Sequence, residues 1–482
     1  MEYDDNFDDY YDDANIYDEE DLEKMLAGYT DFDYGDEMEY ARISFMDLAE
    51  NCLYPTLQQT IHMLAPLYVL CITTRIVCVV GYSDTEDHPL PRWLLNICIS
   101  LGGLLALYMF FGNNIVYLLV CAVSVYVILL VTSWKLQNIA GVTVAAYIFL
   151  FIVICELFVV DEKIWHSIRG AQIMLSMKLI GLGFDITSGV TPLPAFTDYM
   201  AYIFCAGNVI FGPWMSFQDF KSIYSTSLSK CLDVDWMTKV MKSSLFSVFC
   251  LSFSTCFGSW IILDSNYKWV RAYRDAQSFR FSHYFVCFVS ETTIALSGIN
   301  PSEIDYGVTV TRPLYVEFPR SLVEVVTNWN LPMHNWLKNY VFKTARPYGT
   351  FLAVTLTYVA SSLLHGLNFQ LAAVLLSLGF YSYVEMVFRR KLARVFDACL
   401  EARSCRDNCP HTYKQNHPFV WITNLCFGCV AVFHLAYLGL MFDSSAEAEK
   451  GYNMSHTLQK WSDLGFLSHW VILGTYIFHL MV

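Results

Sequence analysis

The sequence predicts an all-α polytopic membrane protein with about nine to eleven transmembrane or re-entrant helices. Of the 482 residues, 55% are hydrophobic and only 16% are charged. The mean hydropathy of +0.39 exceeds what a water-soluble globular protein shows. In addition, apolar runs of roughly 20 residues, the length that crosses a bilayer as a helix, recur along most of the chain.

These apolar runs define the predicted elements in chain order. They cover 61–82, 93–112, 115–133, 139–160, 199–214, 244–264, 280–298, 350–367, 369–387, 419–441 and 467–482. Two further stretches, 163–183 and 319–344, are amphipathic and interrupted by Pro or Gly. Irregular backbone at membrane depth survives only against protein or in a wet cavity. These two stretches are therefore candidates for re-entrant or interfacial helices.

Negative charge is concentrated at the N-terminus. Residues 1–50 contain 19 Asp and Glu against Lys24 and Arg42, whereas the remainder contains 26 acidic and 28 basic residues. Self-repulsion without an apolar face predicts an acidic, disordered tail over 1–50 and a multi-span domain over 54–482. The nearly neutral body carries no basic arm, so we expect the lipid bilayer as a partner and no nucleic acid.

The basic residues that follow the run 369–387 predict the orientation of that run. Arg389, Arg390, Lys391 and Arg394 form the strongest basic cluster in the chain. Such clusters mark the cytoplasmic side of a span. We therefore expect this end of the run to be cytoplasmic.

The cysteines are distributed as small hydrophobic residues rather than as a disulfide framework. Most of the 16, Cys256 among them, lie inside apolar runs. The polar exception is the stretch that contains Cys405, Cys409 and His411. A disulfide, two free thiols and a zinc site that adds His411 and His417 all fit this spacing. We expect no metal site, because such loose spacings are often misleading.

A polar stripe on the run 350–367 is the first candidate catalytic feature. As one helix, this run places Tyr358, Ser361, His365 and Asn368 at positions i, i+3, i+7 and i+10. A buried imidazole beside hydroxyl groups is suited to general-base catalysis. The alternative is a histidine that only joins helices by hydrogen bonds.

A predicted helix break is the second candidate feature. Pro332 lacks an N–H and disfavours helical geometry at the preceding residue, so a helix through Val326 should break near Asn330. The break presents Trp329 and Asn330 at a disrupted helix end. The alternative is an interfacial helix whose tryptophans lie at the lipid headgroups.

Six sequence strings identify a family. Asn330 precedes His365 by 35 residues, and around this pair stand the strings WHSIRGAQ (165–172), FGPW (211–214), PRSLVEVVT (319–327), WNLPM (329–333), LLHG (363–366) and FHLAYLG (433–439). Their types and order resemble the membrane-bound O-acyltransferase family, from about residue 54 to the C-terminus. The acidic tail has no counterpart in that pattern.

The resemblance implies a reaction. The strings closely resemble those of one branch of the family. That branch transfers a palmitoleoyl chain to a serine hydroxyl of Wnt proteins in the endoplasmic reticulum membrane, which enables Wnt secretion and signalling. Palmitoleoyl-CoA would be the acyl donor, and no tightly bound cofactor is implied. His365 would be the general base, and Asn330 would hydrogen-bond the thioester or position the acceptor.

Further residues are candidates for substrate binding. We expect Trp329, Tyr358 and Ser361 to contact substrate. Arg169 and Arg320 lie near the motifs and are candidate ligands for the phosphates of coenzyme A. Each arginine is equally suited to anchoring a helix at the membrane interface.

Two other interpretations remain open. A family member that acylates a lysophospholipid or another lipid would keep Asn330 and His365 but change the acceptor. A transporter or a non-catalytic scaffold would use His365 for helix packing only. Against a transporter stands the small number of carboxylates at membrane depth, chiefly Glu156, Glu291 and Glu385, with Arg75 as the cationic counterpart.

Overall fold

The computed structural model describes residues 44–81, 90–224, 233–262, 267–300, 308–406, 408–442 and 454–482. The chain divides into two units, Met1–Arg42 and Ile43–Val482. The first unit lies outside the described residues, so disorder there stays a prediction. Ser44, however, caps a helix that starts at Phe45, by accepting a hydrogen bond from the Asp47 N–H. This short helix lies inside the stretch 1–50, and the predicted domain bounds stay a prediction.

The described chain is almost entirely helical. The helices are α1 Phe45–Leu48, α2 Tyr54–Gly81, α3 Arg92–Phe111, α4 Ile115–Lys135, α5 Ala140–Ile154, α6 Glu162–Thr187, α7 Phe196–Ile203, α8 Phe217–Phe220, α9 Val234–Ser252, α10 Gly258–Ile261, α11 Lys268–Ser297, α12 Pro313–Glu317, α13 Leu322–Trp329, α14 Leu331–Trp336, α15 Lys343–Ala345, α16 Thr350–Leu364, α17 Phe369–Val395, α18 Pro418–Gly439, α19 Met454–Asp463 and α20 Leu467–Met481. Short π-helical turns extend α1, α5, α9 and α14. Within the described ranges the only β pairing is one isolated bridge, between Ala398 and Tyr413.

Six helical stretches in the described ranges are long and apolar enough to cross a membrane. They are Phe45–Gly81, Arg92–Trp134, Gln137–Val159, Val234–Ile261, Phe369–Val395 and Pro418–Gly439. The pair α19 and α20, bent by 74°, adds a seventh if it counts as one span. The predicted all-α polytopic membrane fold is confirmed.

Several predicted runs form shorter helices than their apolar length suggests. The run 199–214 is helical only to Ile203, and its remainder is a buried turn segment. The run 350–367 ends as a helix at Leu364. Phe204, directly after α7, has a non-helical ψ of 35°, and Gly366 has a φ of +84°, which a continuing right-handed helix excludes.

Helix α6 contradicts one prediction. The stretch 163–183 was predicted to be broken at glycine, whereas α6 is one continuous helix of 26 residues. Its re-entrant or interfacial placement stays a prediction. Most of its C-terminal half is buried. Gly183 serves close packing rather than a break, since a Cβ there would lie 3.2 Å from the Gly141 Cα and 3.3 Å from the Val144 Cβ. Helix α6 is therefore a central packing element of the domain.

A disulfide corrects the cysteine prediction at one position. Cys52 and Cys256 are bonded, with their Cα atoms 5.9 Å apart and a sequence separation of 204. Cys256 therefore helps to cross-link the start of α2 to the turn after α9. It does not pack as a small hydrophobic residue, as the sequence predicted. The other cysteines in the described ranges are free.

The carboxylates at membrane depth are all paired. Glu156 contacts Arg169 at 3.1 Å, and Glu291 contacts Lys239 at 2.7 Å. Glu385 contacts Arg389 at 3.3 Å. Buried charges are tolerated when paired and hydrogen-bonded. The first two pairs join different helical segments, whereas Glu385 and Arg389 lie one turn apart on α17. Arg389 is fully buried and so is not part of an exposed cytoplasmic cluster.

Candidate active site

Asn330 occupies the predicted helix break. Helix α13 ends at Trp329, and Asn330 has an extended backbone with φ −149° and ψ 95° before α14 begins at Leu331. The Leu331 N–H donates to the Val310 carbonyl at 2.8 Å, which ties the break to a neighbouring segment. The break near Asn330 predicted from Pro332 is confirmed.

The Asn330 amide has one end fixed and the other available. Its Oδ1 accepts a hydrogen bond from the Met333 N–H at 3.0 Å, as the N-cap of α14. This bond identifies the oxygen end of the amide. Nδ2 donates to no residue in the described part of the chain. The half-buried side chain therefore presents an N–H donor with a fixed orientation, which suits a developing oxyanion.

His283, a residue that sequence reasoning missed, supports the backbone just before Asn330. Its ring stacks on Trp329 with 4.3 Å between centroids and 10° between planes. Its Nε2 lies 3.1 Å from the Trp329 carbonyl oxygen, so Nε2–H donates there. The signal that would have found it is a histidine inside the run 280–298, since a polar ring is costly at membrane depth.

His365 lies at the second helix break. Helix α16 ends at Leu364, and the His365 N–H caps it by donating to the Ser362 carbonyl at 3.0 Å. The ring is half-buried. It makes no side-chain hydrogen bond to the described part of the chain. An imidazole without a fixed partner keeps a nitrogen free to accept a proton.

The turn after His365 is held by the Glu156–Arg169 pair. Glu156 Oε2 accepts a hydrogen bond from the Leu367 N–H at 2.9 Å. A Cβ on Gly366 would lie 2.6 Å from that same oxygen, and the φ of Gly366 is +84°. Only glycine fits this turn without strain. The conformation of the turn thus requires the glycine of the LLHG string.

Electrostatic interactions connect the two breaks. His365 interacts with His283, which itself stacks on Trp329 beside Asn330. His365 also interacts with Arg169 on α6. Leu364, directly before His365, and Trp336, on the helix that Asn330 caps, belong to one buried cluster, so the two segments pack in the same core.

Two other predicted site residues lie on α16, whereas Asn368 lies outside that helix. Tyr358 and Ser361 lie on α16, half-buried and buried respectively. The Tyr358 ring packs against Gly379, where a Cβ would lie 2.5 Å from the ring. Asn368 is not on α16, because it is the N-cap of α17 and accepts a hydrogen bond from the Leu371 N–H at 3.0 Å. The predicted four-residue polar stripe is therefore wrong beyond Leu364, because His365 and Asn368 both follow the end of α16.

The Arg320 side chain binds backbone carbonyls of the loop after α17. Its Nη2 donates to the Cys399 carbonyl at 2.6 Å and its Nε to the Glu401 carbonyl at 3.3 Å. Burial lowers the pKa of the guanidinium, and these carbonyls compensate for the water it loses. The geometry directs Arg320 toward the loop after α17, so its role as a coenzyme A ligand stays a prediction without a supporting contact.

A buried lysine was also missed. Lys178 on α6 is fully buried and its Nζ donates to the Tyr202 carbonyl at 3.1 Å, the Ile203 carbonyl at 3.0 Å and Asn208 Oδ1 at 2.6 Å. Three acceptors satisfy its three donors. Lys178 therefore fixes the turn segment after α7 against α6. The stretch 163–183 contains a lysine among apolar residues, which was the available signal.

Comparison with known proteins shows the family of the chain. The model of the membrane-bound O-acyltransferase family matches residues 187–405, a range that includes both Asn330 and His365. The chain is 39% identical to the protein-serine O-palmitoleoyltransferase porcupine of Mus musculus, over 91% of this chain and 98% of that protein. The porcupine of Homo sapiens is also 39% identical, with the same coverage. The porcupine of Anopheles gambiae is 31% identical over 91% of this chain and 94% of that protein. This multi-pass membrane protein therefore belongs to the membrane-bound O-acyltransferase family.

Proposed function

We propose that the chain transfers a palmitoleoyl group from palmitoleoyl-CoA to a serine hydroxyl of a Wnt protein, in the endoplasmic reticulum membrane. The observation that carries this proposal is the pair of helix breaks, which present an amide donor and an unpartnered imidazole on two segments that pack in the same core. The porcupine relatives, which share most of the chain, are named for serine palmitoleoyl transfer.

The proposed reaction is a direct acyl transfer. His365 takes the proton of the serine hydroxyl while the oxygen attacks the thioester carbonyl carbon. The carbonyl oxygen becomes negative, and Asn330 Nδ2–H donates to it. Collapse of the tetrahedral intermediate breaks the carbon–sulfur bond, and the coenzyme A thiolate takes the proton from the imidazolium. The products are the serine ester and free coenzyme A, so no resident cofactor is needed.

Placement within the bilayer suits these substrates. The donor combines a charged nucleotide with an apolar chain, and the acceptor is a secreted protein. A site between helices can receive the apolar chain at lipid depth and keep bulk water from the thioester. The half-buried Trp329 and Tyr358 are candidates for contacts with the acyl chain or the acceptor. Arg169 remains the candidate cation for the donor, although Glu156 already neutralises its charge.

The identity of the acceptor distinguishes serine acylation of a Wnt protein from acylation of a lipid. Purified full-length protein in lipid nanodiscs is given an alkyne-tagged cis-unsaturated acyl-CoA with a folded Wnt peptide that carries the acceptor serine or alanine. We expect label on the serine peptide alone. Label on a lysophospholipid with none on the serine peptide would contradict the Wnt acceptor and support a lipid acceptor. Label on the alanine peptide would show that another group is acylated.

A further inference from the structure

The loop between α17 and α18 gathers three thiols and an imidazole. Cys399, Cys405, Cys409 and His411 each direct one ligand atom to a common point, and these four atoms all lie within 4.8 Å of one another. We propose that this cluster binds one structural Zn²⁺ through three cysteine sulfurs and one histidine nitrogen. This ligand set is one of those found in closed, tetrahedral zinc sites.

The distances agree with a tetrahedral ion. Zn–S bonds of about 2.3 Å and Zn–N bonds of about 2.0 Å place neighbouring ligand atoms about 3.5 to 3.8 Å apart at tetrahedral angles. His411 Nδ1 lies 3.6 Å from Cys405 Sγ and 3.8 Å from Cys399 Sγ. Cys399 Sγ lies 3.2 Å from Cys409 Sγ, and no pair of the four ligand atoms is more than 4.8 Å apart, so adjustments of about 1 Å or less bring them to tetrahedral spacing.

The number of ligands favours a metal over a disulfide. A disulfide between any two of these cysteines leaves the third thiol and His411 without a purpose at the same point. A zinc ion uses all four groups. The Lys414 ammonium lies 3.6 Å from Cys409 Sγ, beside the cluster.

This site differs from the zinc alternative that the sequence suggested. His417 does not join the cluster, because its ring packs against Tyr413 at 4.7 Å between centroids. Cys399 takes its place, although it is buried and separated from Cys405 by a bend in the loop. The spacing Cys405-x₃-Cys409-x-His411 therefore supplies three ligands and Cys399 supplies the fourth.

The loop is held in shape around the cluster. The Cys399 N–H donates to the Tyr413 carbonyl at 3.0 Å, and the Tyr413 N–H donates to the Asp397 carbonyl at 3.1 Å. Thr412 donates to the Asp397 carboxylate through both its N–H, at 3.1 Å, and its hydroxyl. The backbone thus brings the two ends of the loop together and places the ligands in advance of the metal.

The cluster is connected to the segment that carries Asn330. Arg320 donates to the Cys399 carbonyl, and the Ser321 hydroxyl donates to the Ala402 carbonyl at 2.8 Å. Ser321 is also the N-cap of α13, the helix that ends directly before Asn330. A metal that fixes this loop would therefore stabilise the start of α13.

Metal content tests the proposal without reference to activity. Full-length protein, purified in detergent without chelators, is analysed by inductively coupled plasma mass spectrometry. We expect about one zinc ion per chain in the wild type. We expect at least about a tenfold lower content in Cys405→Ser and in His411→Ala. Cys426→Ser, an exposed thiol of α18, and His417→Ala in the same loop are matched controls that should keep the metal.

A second measurement covers variants that fail to fold. Wild-type protein is alkylated with a thiol reagent before and after zinc removal by a strong chelator, and peptides from residues 399–411 are analysed by mass spectrometry. We expect protection of the three thiols before chelation and alkylation afterwards. A disulfide within this peptide, free alkylation without the chelator, or equal zinc in the wild type and Cys405→Ser would overturn the site.

Discussion

Asn330 and His365 both lie at helix breaks, yet the structure treats their side chains differently. The Asn330 amide is fixed by the Met333 N–H, and its backbone is tied to Val310. The His365 ring has no hydrogen-bond partner in the described part of the chain, although the turn below it is fixed by Glu156. The difference matches the two chemical tasks. A donor to an oxyanion gains from a fixed orientation, whereas a base must accept and then release a proton.

Removal of the His365 imidazole should have the largest effect of the changes considered, because it removes the proposed base. We expect His365→Ala to lower the single-turnover acyl-transfer rate by about 10² to 10⁴ fold, the usual range for a general base. The rate is measured with tagged acyl-CoA and the serine peptide. His62→Ala, at an exposed histidine on α2, is the matched control and should transfer at the wild-type rate. Equal losses in both variants would point to a folding defect instead of a lost base.

Asn330→Asp separates the two ends of the amide. Aspartate keeps an oxygen that caps α14 but replaces the Nδ2–H donor with a second oxygen. We expect thermal stability close to wild type and a transfer rate lower by about 10² to 10³ fold. Asn335→Ala, at an exposed asparagine five residues away, is the control. A rate near wild type in Asn330→Asp would mean that the donor is not used.

Gly366→Ala tests the fixed turn below His365. The positive φ and the contact with Glu156 predict a loss of about 1 to 3 kcal/mol in stability of the turn. Thermal unfolding in detergent and the transfer rate should fall together. Gly170→Ala is the control, because a Cβ there meets nothing within 4 Å and alanine favours the helix. Unchanged unfolding in Gly366→Ala would contradict the contact with Glu156.

The smallest expected effect concerns the support of Asn330. His283→Phe keeps a ring to stack on Trp329 but loses the hydrogen bond to its carbonyl, worth about 1 kcal/mol. We expect a decrease in transfer rate of about fivefold. Ser282→Ala, at the exposed neighbouring position, should have no effect. A loss as large as that of His365→Ala would assign His283 to the chemistry rather than to support.

The sequence was sufficient for the features that local chemistry determines. Pro332 alone predicted the break at Asn330, and the length of the apolar runs predicted a helical membrane fold. The motif residues Asn330 and His365 were predicted through the family resemblance. The helix through His365 was overextended, because the positive φ of Gly366 is a tertiary requirement set by Glu156, 210 residues earlier.

Contacts between distant segments were not predictable in the same way. His283 meets Trp329 across 46 residues, and Cys52 meets Cys256 across 204. Cys399 joins the cysteine cluster only because the loop folds back on itself. None of these pairs has a periodicity or a short spacing that a single sequence displays. Residue type was the available signal, since His283 and Lys178 are polar groups in apolar surroundings.

Chemical rescue tests the central claim about His365 most directly. Imidazole is added to His365→Ala and to His62→Ala, and transfer of tagged acyl groups to the serine peptide is followed in single turnover. The account predicts that imidazole raises the rate of His365→Ala in a saturable manner and leaves His62→Ala unchanged. Undiminished transfer by His365→Ala in the absence of imidazole would contradict the account.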